Sequence, residues 1–362
     1  MKPVDARSHL AQVLMDPSSA ATLMPRDWER LISEARRHRL LPRLAWRLRR
    51  AGLLESVPTA PGHYLQAALD SLERQRQEVM RELLALREAL GGLDTPLVLL
   101  KGAAYLLAGL PPADSRLFSD IDLMVPREKL QAAESALMAG GWISEDRDPY
   151  NQRYYRQWMH EIPPLRHIRR GSVLDLHHSI APLTSRFAVD ASALFAQARP
   201  VGASGFMTLQ DTDLVLHSSL HLYLEGEFEH GLRDLLDVHE LLLHFSETQA
   251  GFEAHLLQRA AALRLEEPLS QVLAQLQRLA PKDELLRRLG AGLAAQRRGP
   301  WPRLIRACLG QAIMPAGQER LARRLARQFL YVRSHALRMP LRLLLPHLLR
   351  KAWMRRRDAR MA

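Results

Sequence analysis

Asp120 and Asp122, one residue apart in Ser119-Asp-Ile-Asp-Leu-Met-Val125, carry the most readable chemistry in this chain of 362 residues. In an extended strand alternate side chains share a face, so both carboxylates point one way while Ile121 and Leu123 point into a core. Two like charges on one face repel. A hard divalent cation such as Mg2+ or Mn2+, which takes oxygen ligands, relieves that repulsion. Ions held this way orient triphosphate oxygens and lower the pKa of an attacking hydroxyl. The same residues in a turn would be a Ser119-Asp120 cap followed by a solvated edge aspartate. The apolar strand around them, and the apolar run ending at Lys101-Gly102 some way before, favour the metal reading.

Asp175 and His177 in Leu174-Asp-Leu-His177 share one strand face, and Leu174 and Leu176 share the other. A third carboxylate there, on a neighbouring strand, would serve as general base or as a further ligand; the alternative is a hairpin-edge aspartate. His160-Glu161 offers a different third acid, but Pro163-Pro164 follows at once and suits a strand end, so Asp175 is preferred. Asp211-Thr-Asp213 repeats the Asp-x-Asp spacing immediately before a helical pattern, where acidic residues act as caps and suit the helix dipole. His217 and His221 have the i, i+4 spacing of metal ligands on a helix, without the glutamate of His-Glu-x-x-His. They read as core or partner-contacting histidines. Alternatively, with Arg233, Asp234 and Asp237, they build a base or acceptor pocket.

The elements that must position these groups follow from apolar spacing. Residues 1–90 read as helices, with a pattern opening at Trp28, Pro42 at the start of the next, and a long amphipathic stretch from Tyr64 to Leu90 closed by Gly91-Gly92. Pro96 to Leu100 is a buried strand and Ala103 to Leu110 a helix, broken at Pro111-Pro112. Ile121 to Val125 is a second strand, Pro126 to Gly140 a second helix, and Trp142-Ile143 begins a third strand. Tyr154 to His160 and Val173 to His177 read as strands joined through Arg169-Arg170-Gly171. This gives an α+β class: a mixed sheet with flanking helices, embedded in helical regions. Asp211 to Phe228, Leu232 to Phe245 and Phe252 to Leu279 are expected helices. The chain from Arg303 onward is helical, with breaks near Pro315, Pro340 and Pro346. The division expected is a helical region at 1–92, the sheet core at 93–185, a helical domain at 186–300 and a basic helical tail at 301–362.

Composition sets the outer limits. Hydrophobic residues make up 47% and charged residues 25%, as in a folded globular chain. The lone Cys308 excludes an intrachain disulfide framework and disfavours a cysteine zinc site. No secretory pattern opens the chain and no uncharged apolar run reaches membrane length, so the expectation is a cytoplasmic protein. The formal net charge is +12, and nearly all of it lies in residues 318–362, where twelve Arg and one Lys face one Glu and one Asp. That segment could lie on an anionic membrane surface, bind RNA phosphates, or pack its leucines on the body with solvated arginines.

Strand, glycine, helix and Asp-x-Asp strand, in that order, resemble the DNA polymerase β-like nucleotidyltransferases. More closely, Leu100-Lys-Gly-Ala-Ala104, then Arg116, then Asp120-Ile-Asp-Leu-Met-Val125, with Leu174-Asp-Leu-His177 beyond, is similar to the bacterial "uncharacterised nucleotidyltransferase" family. The resemblance covers about residues 95–245. It implies a polymerase β-like core in which Asp120, Asp122 and Asp175 hold Mg2+ or Mn2+ and carry catalysis. Lys101, Gly102, Ala103, Arg116 and Ser119 would bind the nucleoside triphosphate, and a nucleoside monophosphate would pass to an unknown hydroxyl acceptor. The wider superfamily commonly has Gly-Gly or Gly-Ser after the first strand, where the serine contacts phosphate; here the pair is Gly102-Ala103. That departure keeps open a catalytically degenerate adaptor at an anionic membrane. The basic tail keeps open an enzyme that modifies a tRNA-like RNA.

Overall fold

A computed structural model describes residues 8–146, 148–314 and 321–338. Helices α1 (His9–Met15), α2 (Pro25–Arg37), α3 (Leu41–Arg50) and α4 (Thr59–Leu90) come first. The long α4 buries Leu65, Leu69, Leu72, Val79, Leu83, Leu86 and Leu90, the i, i+3/i+4 stripe of an amphipathic helix. Then follow β1 (Val98–Leu100), α5 (Lys101–Leu107), β2 (Ile121–Met124), α6 (Leu130–Ala139), β3 (Trp142–Ser144), α7 (Pro149–Trp158), β4 (Leu165–His167) and β5 (Val173–His177). After them come α8 (Ala191–Phe195), β6 (Arg199–Pro200), β7 (Met207–Thr208), α9 (Asp211–Leu224), α10 (Gly231–Thr248), α11 (Phe252–Ala262) and α12 (Glu266–Leu279). The last elements are α13 (Glu284–Gly292), α14 (Pro300–Ile313) and α15 (Leu321–Arg338).

The seven strands form one sheet in the order β3-β4-β5-β2-β1-β7-β6. β1 runs antiparallel to β2 and parallel to β7, and β2 runs parallel to β5. The sheet is mixed, with helices packed around it, and the expected α+β class is borne out. β1 and β2 are buried along their whole length, as central strands covered on both sides must be. One hydrophobic core runs from Leu10 to Leu330 and joins the sheet to the flanking helices.

Three local expectations need correction. Tyr154 to His160 is not a strand: Tyr154 through Trp158 lie in α7. Asp148 caps that helix by accepting a hydrogen bond from Tyr150 N at 2.8 Å, and Pro149 occupies its first position, a strong start signal. Tyr150, Tyr154 and Trp158 recur every four residues and cluster along the helix. Their β propensity yields to that spacing. The strand that pairs with β5 through the Arg169-Arg170-Gly171 turn is Leu165–His167. Phe252 to Leu279 is two helices, because Arg264 takes a φ of 57° and turns the chain between them. β6 and β7, unforeseen, extend the sheet beyond β1. Of the breaks expected near Pro315, Pro340 and Pro346, all three prolines lie outside the described residues.

The described part of the basic tail, α15, is fastened to the body. Arg333 donates to the carbonyl of Tyr223 at 3.1 Å and stacks over its ring, and Arg338 donates to the carbonyl of Leu224 at 2.9 Å. These arginines satisfy the last carbonyls of α9, which helix geometry leaves without partners. No described helix is long and apolar enough to cross a membrane.

Candidate metal and nucleotide site

The centre of the site is set by strand register. Asp122 on β2 lies directly opposite Asp175 on the parallel β5, so both side chains leave the same face of the sheet. Asp122 is 5% exposed. Its Oδ1 lies 3.3 Å from Lys101 Nζ and 3.0 Å from His177 Nε2. Burial works against its charge, but Lys101 and then His177 outweigh it and hold the carboxyl well below the usual range. Asp175 is the opposite case. Its Oδ1 is buried without a hydrogen-bond partner. Burial first, then Asp122, Glu161 and Asp120, push its carboxyl up to about 8. Two carboxylates thus share a site where only one is comfortably charged, the condition that an added cation resolves.

Asp120 sits just ahead of β2, half-buried, and accepts a hydrogen bond from the exposed Ser119 Oγ at 2.9 Å. The loop that delivers it is clamped by α4. Gln75 donates to the carbonyl of Phe118 at 2.6 Å and accepts from its N–H at 2.7 Å. Among the described residues, the groups close enough to share an ion are Asp122 with Asp175 and His177, and His160 with Glu161 and His177. Asp120 is in neither.

Lys101 owes its position to backbone geometry. It follows β1 directly and adopts a φ of 43°, the left-handed region, which costs of order 1–3 kcal/mol for a residue with a Cβ. Burial opposes its charge, but Asp122, Asp120, Glu161 and Asp234 together raise its pKa. Gly102 and Ala103 begin the buried first turn of α5. A Cβ on Gly102 would stand 2.9 Å from Phe118 Cδ1 and 3.3 Å from Arg116 Nε, so the missing side chain makes room for the loop into β2. Ala103 is 1% exposed.

Arg116 is engaged inside the protein. Its guanidinium pairs with Asp237 and, at 3.4 Å, with Asp234, both on α10. Arg43 from α3 completes the network, donating to Ser115 Oγ at 2.9 Å and pairing with Asp237 and Glu240. Burial raises the Asp234 pKa, but Arg233 and Arg116 override it and hold the carboxyl low. The network ties α3, the loop before β2 and α10 together, and so fixes the entry to the carboxylate strand.

His217 and His221 on α9 are drawn to this site. Burial first, and next the charge of Lys101, lower both pKa values, that of His221 to about 4. Both imidazoles are therefore neutral near pH 7. Asp211 and Asp213 are elsewhere occupied: Asp211 by Arg199 and Gln249, and Asp213 by Arg259 through both oxygens. Sequence spacing underrated Glu161. Its residue bridges to His177 beside β5, and its Oε2 lies 3.4 Å from His177 Nδ1. Pro163-Pro164 ends the extended segment only after Glu161 has reached the site. Tyr155 lies on α7, outside every motif that the sequence shows. Burial, Glu161 and Asp175 raise its phenol to about 12, which places it near both acids.

The mixed sheet with flanking helices is consistent with the α+β fold of a nucleotidyltransferase domain. The chain itself matches the uncharacterised nucleotidyltransferase family over residues 24–281, well over half its length, and belongs to that family. The match begins within the N-terminal helices and runs through α12, beyond the 95–245 stretch that carries the motifs. No curated protein and no solved structure is significantly similar to it. Membership supports nucleotidyl transfer as the general function.

Proposed function

We propose that the chain is a metal-dependent nucleotidyltransferase that moves a nucleoside monophosphate from a nucleoside triphosphate to a hydroxyl acceptor and releases pyrophosphate. The observation that carries this reading is the opposition of Asp122 and Asp175, with a buried Asp175 oxygen that has no partner. Such oxygen donors suit Mg2+ or Mn2+. Asp122 and Asp175 would hold the ion, with Asp120 at the mouth of the site. When bound, it would neutralise triphosphate oxygens and acidify the acceptor hydroxyl.

The remaining roles belong to the chain. Lys101, already charged beside Asp122, would pair with phosphate. Ser119 would offer a hydroxyl, and the first-turn amides at Gly102 and Ala103 would offer N–H donors. Arg116 would act through position, holding the loop into β2 against α10. The neutral His217 and His221 would line the acceptor side without repelling a cationic centre. Calorimetric titration with ATP, GTP, CTP and UTP in Mg2+ or Mn2+ tests the reading. Wild type should bind at least one of them and Asp122→Asn none; absence of binding in wild type, or unchanged binding in the variant, overturns it. Mass spectrometry of candidate acceptors after incubation with labelled nucleotide then identifies the product.

Ala103 favours one second reading, a catalytically silent adaptor, since a buried methyl stands where relatives of the wider superfamily carry a phosphate-binding hydroxyl. Nucleotide turnover that is lost in Asp122→Asn excludes it. An RNA acceptor would be gripped through residues 318–362. Deleting that segment should then abolish RNA binding together with its steep salt dependence.

A further inference from the structure

We propose that His160, Glu161 and His177 form a second metal site, for a divalent transition-metal ion of the zinc type, adjoining the carboxylate site and sharing His177 with it. The backbone is fixed first. After α7 the chain runs against β5: His178 N donates to the carbonyl of His160 at 2.8 Å, and Ile162 N donates to that of Leu176 at 3.0 Å. This brings Glu161 Oε2 to 3.4 Å from His177 Nδ1 and 3.8 Å from His160 Nε2. One donor atom from each residue lies within 4.8 Å of the other two, and the imidazole centroids are 5.3 Å apart. A tetrahedral ion with bonds of roughly 2.0–2.1 Å holds its donors about 3.3 Å apart. Modest closure would complete such a set.

The second observation is a buried imidazole set between two carboxylates. His177 is 2% exposed, and its Nδ1 makes no hydrogen bond. Its Nε2 faces Asp122 Oδ1 at 3.0 Å and must carry the hydrogen of that contact. Nδ1 faces the Glu161 carboxylate. Burial opposes a charge on His177, but Asp122 and Glu161 together raise its pKa, so without a metal a proton occupies this contact. A divalent ion would take the place of that proton between Nδ1 and the carboxylate, since a metal-bound imidazole must be deprotonated at the ligating nitrogen. His160 Nδ1 is likewise buried and unpartnered. Metal-bound histidines characteristically donate their other N–H to a carboxylate, which fixes the ring and its tautomer; Asp122 stands in that place here. Two nitrogens and one oxygen suit a borderline ion, whereas Mg2+ prefers an all-oxygen set. The two sites would thus take different ions, and the ion on Nδ1 would keep the Nε2 hydrogen directed at Asp122.

The site does not depend on nucleotidyl transfer and is tested without it. The full chain, stripped with chelator, is titrated calorimetrically with Zn2+ in a large excess of Mg2+. One equivalent should bind. His160→Ala and Glu161→Gln should each weaken binding at least about tenfold, and Asp175→Asn should leave it unchanged. No Zn2+ uptake above Mg2+, or uptake indifferent to both substitutions, overturns the proposal. Loss in Asp175→Asn also overturns it, by placing the ion between the carboxylates. Should the variants fail to fold, wild type loaded with Cu2+ decides: electron spin-echo modulation should show two imidazoles, and one or none sinks the site.

Discussion

Replacing Asp175 by Asn should stabilise the metal-free protein, and increasingly so as pH rises. The Asp175 carboxyl is pushed from an ordinary 3.8 to about 8, by burial first and then by Asp122 and Glu161. The folded state therefore holds a proton that the unfolded chain has released. Stability from this group is fully present below about pH 4, falls between about 4 and 8, and is flat above that. The linkage slope is about 1.4 kcal/mol per pH unit. From pH 5 to 7 the ceiling is thus about 2.7 kcal/mol, and relaxation with water entry reduces it to about half. Asn keeps the shape and has no proton to lose, so this slope disappears. Urea unfolding of both proteins in chelator at pH 5, 6, 7 and 8 measures it. The variant's advantage should widen by about 1–3 kcal/mol between pH 5 and 7. Added Mg2+ should then stabilise wild type, by cancelling the repulsion, and leave the variant nearly unmoved. An advantage that stays constant or shrinks with pH would refute the view that Asp175 is a strained carboxylate kept for a cation.

Substitutions at three further positions probe the frame. Lys101→Ala and Lys101→Gly both delete the charge beside Asp122, but only glycine accepts a φ of 43° freely; the glycine variant should be the more stable by about 1 kcal/mol in urea, and calorimetry should show both losing affinity for whichever nucleotide wild type binds with Mg2+. Gly102→Ala places a methyl 2.9 Å from Phe118 Cδ1 and should cost about 1–3 kcal/mol in the same assay. Arg43→Met strips a buried partner from Asp237 and Glu240 and should cost about 3–5 kcal/mol; a loss under about 1 kcal/mol would mean the network is not a buried, coupled unit.

What the sequence reveals of this fold follows from how local each signal is. β1, β2 and β5 announce themselves because their apolar residues and turns lie within a few positions of one another. The Asp122–Asp175 pairing follows once both strands are placed, since residues set opposite in register share a face. α7 is hidden by Tyr and Trp, which favour strands in general and here obey a helical repeat that an Asp148-Pro149 start signal marks. β6 and β7 are two residues each and hold only through β1, so nothing in their own segment declares them. The turn at Arg264 lacks the glycine that usually advertises a positive φ. Arg116 is the sharpest case. Its motif position suggests phosphate, while its partners, Asp234 and Asp237, lie 118 and 121 residues further on and no local pattern connects them.

Under the proposed function, that pairing would move the burden of phosphate recognition to Lys101. Arg116 faces two aspartates, and Arg43 shares one of them, so its charge is spent on the frame. Lys101 is held differently. Its contact with Asp122 is 3.3 Å long, and the same Asp122 oxygen also takes the His177 contact. A cation arriving between Asp122 and Asp175 would compete for that oxygen, and Lys101 could then turn to a triphosphate entering with the ion. The strained backbone of Lys101 fits this role, since it fixes the ammonium at the carboxylates before any ligand is present. A serine after Gly102 would have contributed a neutral donor. Lys101 contributes a full charge from the preceding residue, so Ala103 does not by itself argue for a silent site.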